Sequence, residues 1–163
     1  SQKRQAREFV ADLLRMRGAT SDIADLTTGT FEPVLDDSRA IDKSAVTKVL
    51  LHSGKVHWDL VNELQKAPDD TIALVTLEQL YPAPGKQLRA VLDQYPNAEL
   101  HWVQDEPENQ GAWPYICVDL VRHLGGRTIQ VVSRPAAASP AAGSAKRHAI
   151  EQADLLARAL DHN

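Results

Sequence analysis

A chain of 163 residues, 43% hydrophobic and 25% charged, has the balance of one soluble globular domain, able to bury roughly 70% of its unfolded surface. A net charge of −4, a pI near 5.8 and only 5% aromatic residues exclude a generic nucleic-acid binder, which needs a basic face and stacking rings. One cysteine excludes a disulfide framework and a multi-cysteine zinc site, and no apolar run nears the ~20 residues of a membrane span, so a cytoplasmic protein is expected.

In chain order, the basic start Ser1–Arg7 leads into no signal-peptide core. Phe9, Val10, Leu13, Leu14 and Met16 have the spacing of one amphipathic helix, which Gly18 stops. Residues 19–44 show no sustained period, and Gly29, Pro33 and the turn Asp36-Asp37-Ser38 punctuate them. The predicted division is an N-terminal helix and extended arm over 1–45 and a body over 46–163. Because the chain starts with Ser rather than Met, it is expected to be part of something larger.

The body alternates. Lys48–Leu51, Thr71–Leu77, Glu99–Gln104 and Thr128–Ser133 read as strands. Helical spacing follows each: Val56, Leu60, Val61 and Leu64; Leu88, Val91 and Leu92; Trp113, Ile116, Cys117, Leu120, Val121 and Leu124; then Ile150, Leu155, Leu156, Ala159 and Leu160. Gly125-Gly126 ends the third helix, and the Pro/Ala/Gly/Ser stretch 134–145 is a long loop. Strand–helix alternation of this kind predicts an α/β fold of three layers around a mostly parallel sheet.

Ligands of open parallel sheets gather outside the carboxyl ends of the strands. Those ends are His52-Ser53-Gly54-Lys55, Glu78-Gln79, Gln104-Asp105-Glu106 and Ser133-Arg134, which predicts one polar rim. Ser53-Gly54-Lys55 is not a nucleotide-hydrolysing loop, because Val49 and Val56 stand where that pattern needs Gly and Ser/Thr. A Ser53 helix cap is the favoured reading, an anion site the lesser one. The six histidines form no His-x-x-x-His pair. His101 reads as a packed or solvated strand residue. Cys117 reads as a buried, inert thiol, and Asp105, Glu106 and Glu108 as a solvated acidic cluster. Arg134, Lys146, Arg147 and His148 bracket the long loop and could clamp an anion or meet an acidic surface. A signalling receiver ranks low, since His52-Ser53 rather than acidic residues follow the first strand.

Several segments resemble one family. Ser53-Gly54-Lys55 and Leu77-Glu78-Gln79-Leu80-Tyr81-Pro82 are similar to the C-terminal domain of thiamine-diphosphate-dependent 2-oxo acid dehydrogenases. The run Trp102–Trp113 (WVQDEPENQGAW) is more specific. With Arg134–His148 and Glu151-Gln152, it resembles the decarboxylating component of 2-oxoglutarate dehydrogenase. Leu14-Arg15, Ala19-Thr20-Ser21 and Phe31 fit too, so the resemblance spans roughly residues 13–160 and fails over 1–12.

The resemblance implies a transketolase C-terminal-domain-like fold. The parent enzyme would be a dimer that decarboxylates 2-oxoglutarate with thiamine diphosphate and Mg. It would pass a succinyl group to a lipoyl arm, alongside succinyltransferase and lipoamide dehydrogenase components in the tricarboxylic acid cycle. The thiamine motif, Gly-Asp-Gly followed by Asn, is absent from this chain, so no cofactor, no nucleic acid and no membrane is expected on it. The chain alone should be inactive and contribute dimer packing and regulation, with Glu106, Asn109, Gln110 and Trp113 organising the third strand–helix junction.

Actinobacterial members of the family bind acetyl-CoA in this domain. The resemblance makes Gln79 and Lys86, with Arg134 and Lys146, a candidate acetyl-CoA or phosphate site. Thr30, Pro33 and Gln87 lack the family's cation or hydroxyl at those positions, so weak or absent acetyl-CoA control is expected. The alternative is a free-standing regulatory module that binds an adenine nucleotide or CoA on the same rim.

Overall fold

The structure is a computed structural model and describes residues 19–20 and 23–161. The helix expected over 8–16 lies outside the described residues. Two compact units divide the chain, one up to Glu32 and one from Pro33 onward. In the first, helix α1 (Ile23–Thr28) ends with both threonine hydroxyls turned back on its own carbonyls, Thr27 on Ile23 and Thr28 on Ala24.

The second unit is built on a five-stranded sheet: β1 (Val34–Leu35), β2 (Lys48–His52), β3 (Ile72–Leu77), β4 (Glu99–Pro107) and β5 (Ile129–Arg134). Its order is β1-β3-β2-β4-β5, with β2 to β5 parallel and β1 antiparallel on the edge. Strands β2 and β3 are buried along their whole length, because helices cover both faces of the sheet.

Alternate residues of each strand feed two cores. Val49, Leu51, Val75, Leu100 and Trp102 meet α3 (Gly85–Leu92), α4 (Trp113–Ile116) and a 3-10 turn (Leu120–His123). Leu50, Leu74, Val103 and Val132 meet α2 (Val56–Lys66) and α5 (Ala145–Leu160) on the opposite face. This is the expected three-layer architecture.

Four details differ from the sequence reading. The body begins at Pro33, not at residue 46. Residues 33–39 are sewn to β3: the Pro33 carbonyl accepts from Glu78 and Gln79 N–H, and the Asp37 carboxylate accepts the Leu74 N–H at 2.8 Å. Strand β4 runs three residues beyond Gln104 and its pairing slips between Val103 and Pro107, a bulge that no alternation of side chains announces.

The helix expected over 113–124 is two short pieces instead. The i, i+4, i+8 spacing still buries Ile116, Leu120 and Leu124, whatever the local pitch. Cys117 lies one residue further round and is exposed, correcting the buried thiol. Trp113 is only half-buried, whereas Trp102 is the largest fully buried side chain.

Trp102→Ala is therefore predicted to cost about 3–5 kcal/mol in urea denaturation, and Trp113→Ala clearly less. The reverse order would contradict this assignment of the core.

Candidate functional site

Because β2 to β5 run parallel, their carboxyl ends share one edge, as expected, and the polar residues there do gather. Most of them are occupied with one another. The centre is Gln104, 3% exposed on the inner face of β4. Its Oε1 accepts the Trp102 indole N–H at 2.9 Å and the Trp113 backbone N–H at 2.8 Å. Its amide nitrogen donates to the Gln110 carbonyl at 2.8 Å and the Pro107 carbonyl at 3.1 Å. Both lone pairs and both protons of the carboxamide are thus used.

The loop so held presents Asn109 and Gln110 to the next one. Both donate to the Ala137 carbonyl, at 3.1 and 2.7 Å, and Asn109 Oδ1 accepts the Ala137 N–H at 3.0 Å. Gly111 closes the loop at φ +65°, where an added Cβ would come within 2.9 Å of the Glu106 side chain. Of the four residues expected to organise the junction, Asn109, Gln110 and Trp113 take part in its hydrogen bonds, while the Glu106 side chain only packs beside Gly111. Gln104, which the sequence reading left in the list of strand ends, ties them together.

Arg134, expected on the anion clamp, turns inward instead. It donates to the carbonyls of Asp105 and Pro140 and lies 3.5 Å from Glu151, with its side chain 8% exposed. Arg147 takes the other oxygen of Glu151 at 2.6 Å. The Arg147 guanidinium, with Arg134 behind it, holds the Glu151 carboxyl below its ordinary range. Lys146 is exposed in the first turn of α5, whose cap is Ser144 accepting from the Arg147 N–H.

Gln79 donates to the Pro82 carbonyl at 2.7 Å, across a cis Tyr81–Pro82 peptide, and Lys86 is exposed in the first turn of α3. Strands β3 and β5 are three places apart in the sheet, about 14 Å at the usual spacing. Strand order thus separates the Gln79 end of β3 from the Arg134 end of β5, and Gln79 bonds to Pro82 while Arg134 bonds to Asp105, Pro140 and Glu151.

Two smaller readings are corrected and a third is narrowed. Ser53 does not cap α2, whose first turn begins at Lys55 without a side-chain cap. Asp105 is not merely solvated: it accepts from Gln152 at 2.7 Å, and the same Gln152 amide reaches Asp59, which pairs with Lys55. His101, read as packed or solvated, is packed in β4 with Nε2 3.6 Å from the Glu99 carboxylate, and burial lowers its pKa.

One constellation had no sequence signal. His52, at the end of β2, pairs in register with Thr76 of β3, and the first turn of α2 sets His57 against both. His52 Nε2 lies 2.9 Å from His57 Nδ1 and 2.9 Å from Thr76 Oγ1. Burial pushes His52 down to about 3 and lowers His57 as well, so both rings are neutral. Beside them lies a cavity of about 470 Å³ between residues 35–39 and α2. Within its wall Asp37 and Arg39 pair at 2.7 Å. Burial alone would raise the Asp37 carboxyl, but Arg39 and the Leu74 N–H outweigh it and hold it low.

Comparison with known proteins gives a consistent answer. The family model for the 2-oxoglutarate dehydrogenase C-terminal region matches residues 20–160. The 2-oxoglutarate dehydrogenase E1 component of Cupriavidus necator is 42% identical over 150 residues, covering 91% of this chain and 16% of its own. The multifunctional 2-oxoglutarate metabolism enzyme of Mycobacterium sp. (strain JLS) is 42% identical over 157 residues, covering 91% of this chain and 12% of its own. That of Mycolicibacterium vanbaalenii is 40% identical over 155 residues, with the same shares. The chain spans about a sixth or less of the length of these relatives.

Truncating Gln104 strands several buried groups at once, each costing about 1–3 kcal/mol. Gln104→Ala is predicted to lose at least about 3 kcal/mol in urea denaturation, and Gln104→Glu to lose stability too, because a carboxylate cannot donate to two carbonyls. A loss under about 1 kcal/mol in both would show that water replaces the amide freely.

A second prediction follows from His52. The unfolded chain takes up its proton below the ordinary pKa of 6.5 while the folded one stays neutral to about 3, so stability is full above that range and falls with pH through it. His57 and His101 act in the same direction, and Asp37 contributes only below its ordinary 3.8. Going from pH 7 to 5 should cost about 2 kcal/mol for one such histidine. His52→Gln should shrink that difference, and an unchanged difference would mean that His52 ionises normally in the fold.

Proposed function

The chain belongs to the 2-oxoglutarate dehydrogenase C-terminal family, and on that footing we propose that it serves as the C-terminal domain of the decarboxylating first component of that dehydrogenase. The observation that carries the reading is the use of its most specific motif. Residues 102–113 spend their polar groups on holding β4, α4 and the 134–137 loop together through Gln104, which is the work of a packing domain.

In this reading the whole enzyme, a cytoplasmic dimer, decarboxylates 2-oxoglutarate in the tricarboxylic acid cycle and hands a succinyl group to a lipoyl arm. The partners are the rest of the dehydrogenase chain and its dimer mate, then the succinyltransferase and lipoamide dehydrogenase components. Thiamine diphosphate and Mg supply the decarboxylation chemistry, and this chain's residues do not fit them. The sequence has no Gly-Asp-Gly, and the described residues bring no three His, Cys, Asp or Glu together for a metal. In this reading both sit on other domains, and this one braces them.

Acetyl-CoA control is weak or absent in this proposal. Thr30, Pro33 and Gln87 offer no cation, and Arg134 is committed to Asp105, Pro140 and Glu151. The commitment of Arg134 also counts against a free-standing module that binds an adenine nucleotide or CoA with it.

The test is a chimera. This chain replaces the matching segment of the Cupriavidus necator E1 component, and 2-oxoglutarate decarboxylation is assayed with thiamine diphosphate and Mg. Activity within about tenfold of the parent, a barrier change of about 1.4 kcal/mol, is expected. The isolated chain should show none. A chimera that folds and dimerises but has lost the reaction altogether would refute the reading.

A further inference from the structure

The cavity beside His57 has a chemistry that its neighbours define. We propose that it is a binding site for a small, uncharged planar ring bearing one O–H or N–H donor, of the phenol or indole type. The inference stands on the cavity alone and does not depend on the parent enzyme.

The proton positions fix what the wall offers. His52 Nδ1 lies 2.9 Å from the Leu50 carbonyl oxygen, and only an N–H can face a carbonyl at that distance. The neutral ring therefore leaves Nε2 bare. His57 Nδ1 sits 2.9 Å from that bare nitrogen, so it carries the proton and donates it. Thr76 Oγ1, 2.9 Å from the same nitrogen and 3.2 Å from His57 Nδ1, bridges the two rings and shares that proton path. The His57 ring, neutral in its turn, keeps a bare Nε2, and no hydrogen-bond partner for that atom is found among the described residues. His57 lines the cavity, so the wall carries an uncommitted acceptor.

The remaining surface sets the rest of the ligand. Leu35, Trp58, Val61 and Leu74 make the wall largely apolar, and Trp58 meets His57 edge-on with ring centroids 4.8 Å apart. The charges nearby are already compensated. Asp37 is bound by Arg39 and the Leu74 N–H, and Asp36 by Lys43 and the Tyr95 hydroxyl at 2.6 Å. Among the described residues a charged guest would meet no free counter-charge in this wall, whereas a neutral donor meets a bare imidazole. A volume of about 470 Å³ takes a one- or two-ring molecule, in the range of ordinary ligand pockets. A metal is disfavoured: the two imidazole nitrogens already share a proton, and no third His, Cys, Asp or Glu joins them among the described residues.

The experiment titrates phenol and, separately, toluene into this chain and follows the Trp58 indole and the Val61 and Leu74 amides by NMR. Phenol is expected to saturate in the millimolar range or tighter, about tenfold tighter than toluene, which has the same ring without the donor. His57→Phe should abolish that preference and leave the rest of the spectrum in place. Should that variant not fold, the phenol-to-toluene ratio on the unaltered chain decides. Equal affinities, or shifts that stay linear to about 20 mM phenol, would overturn the proposal.

Discussion

The fold turns on one buried carboxamide. Gln104 sits where β4 leaves the regular ladder, and its four hydrogen bonds tie the strand to the loop and helix that follow. A neutral amide suits the place because it both donates and accepts, and because burying it fully satisfied avoids the larger cost of burying a charge. Everything beyond it follows in order. The loop 107–111 takes a fixed path, Gly111 closes it, α4 starts from Trp113, and Asn109 and Gln110 are left in position to seize Ala137. A loop rich in proline and alanine, with few contacts of its own, gains a definite course in this way.

Charge is used in the same spirit. Arg134 joins the end of β5 to the β4 loop, to Pro140 and to α5, and Asp37 with Arg39 does the equivalent on the opposite edge of the sheet. Arg39 also reaches the carbonyls of Asp69 and Ile72, so the pair ties residues 36–39 to the start of β3. These ions are held by backbone groups as well as by each other, the condition under which a buried pair can persist. The rim of the sheet therefore looks like a ligand edge in sequence and behaves as a set of clasps in three dimensions.

The parallel strands and their two cores were legible because short, nearly unbroken apolar runs at 49–51 and 72–77 leave little alternative, and because helical spacing placed Leu60, Leu64, Leu88, Leu92 and Leu155 correctly. What escaped was local geometry without a period. A two-residue strand at Val34 carries no pattern, Pro114 and the exposed Val118 do not show where a helix breaks, and a bulge after Val103 leaves no mark. The candidate site was legible only as a rim. Whether Arg134 faces a ligand or Glu151 depends on the fold of residues 135–145, which no spacing encodes. His52 and His57 are five residues apart with no motif between them; the turn from β2 into α2 brings them together, and register adds Thr76.

The central claim is that Gln104 couples the motif loop to the 134–137 loop as one cooperative unit. Native-state hydrogen exchange, residue by residue, tests it most directly. The account predicts that the amides of Glu108, Trp113 and Ala137 open with the same free energy in the intact chain, and that in Gln104→Ala all three fall together while Leu50 and Leu74 in the sheet follow only global unfolding. Ala137 exchanging freely while Trp113 stays protected, in the intact chain, would contradict it.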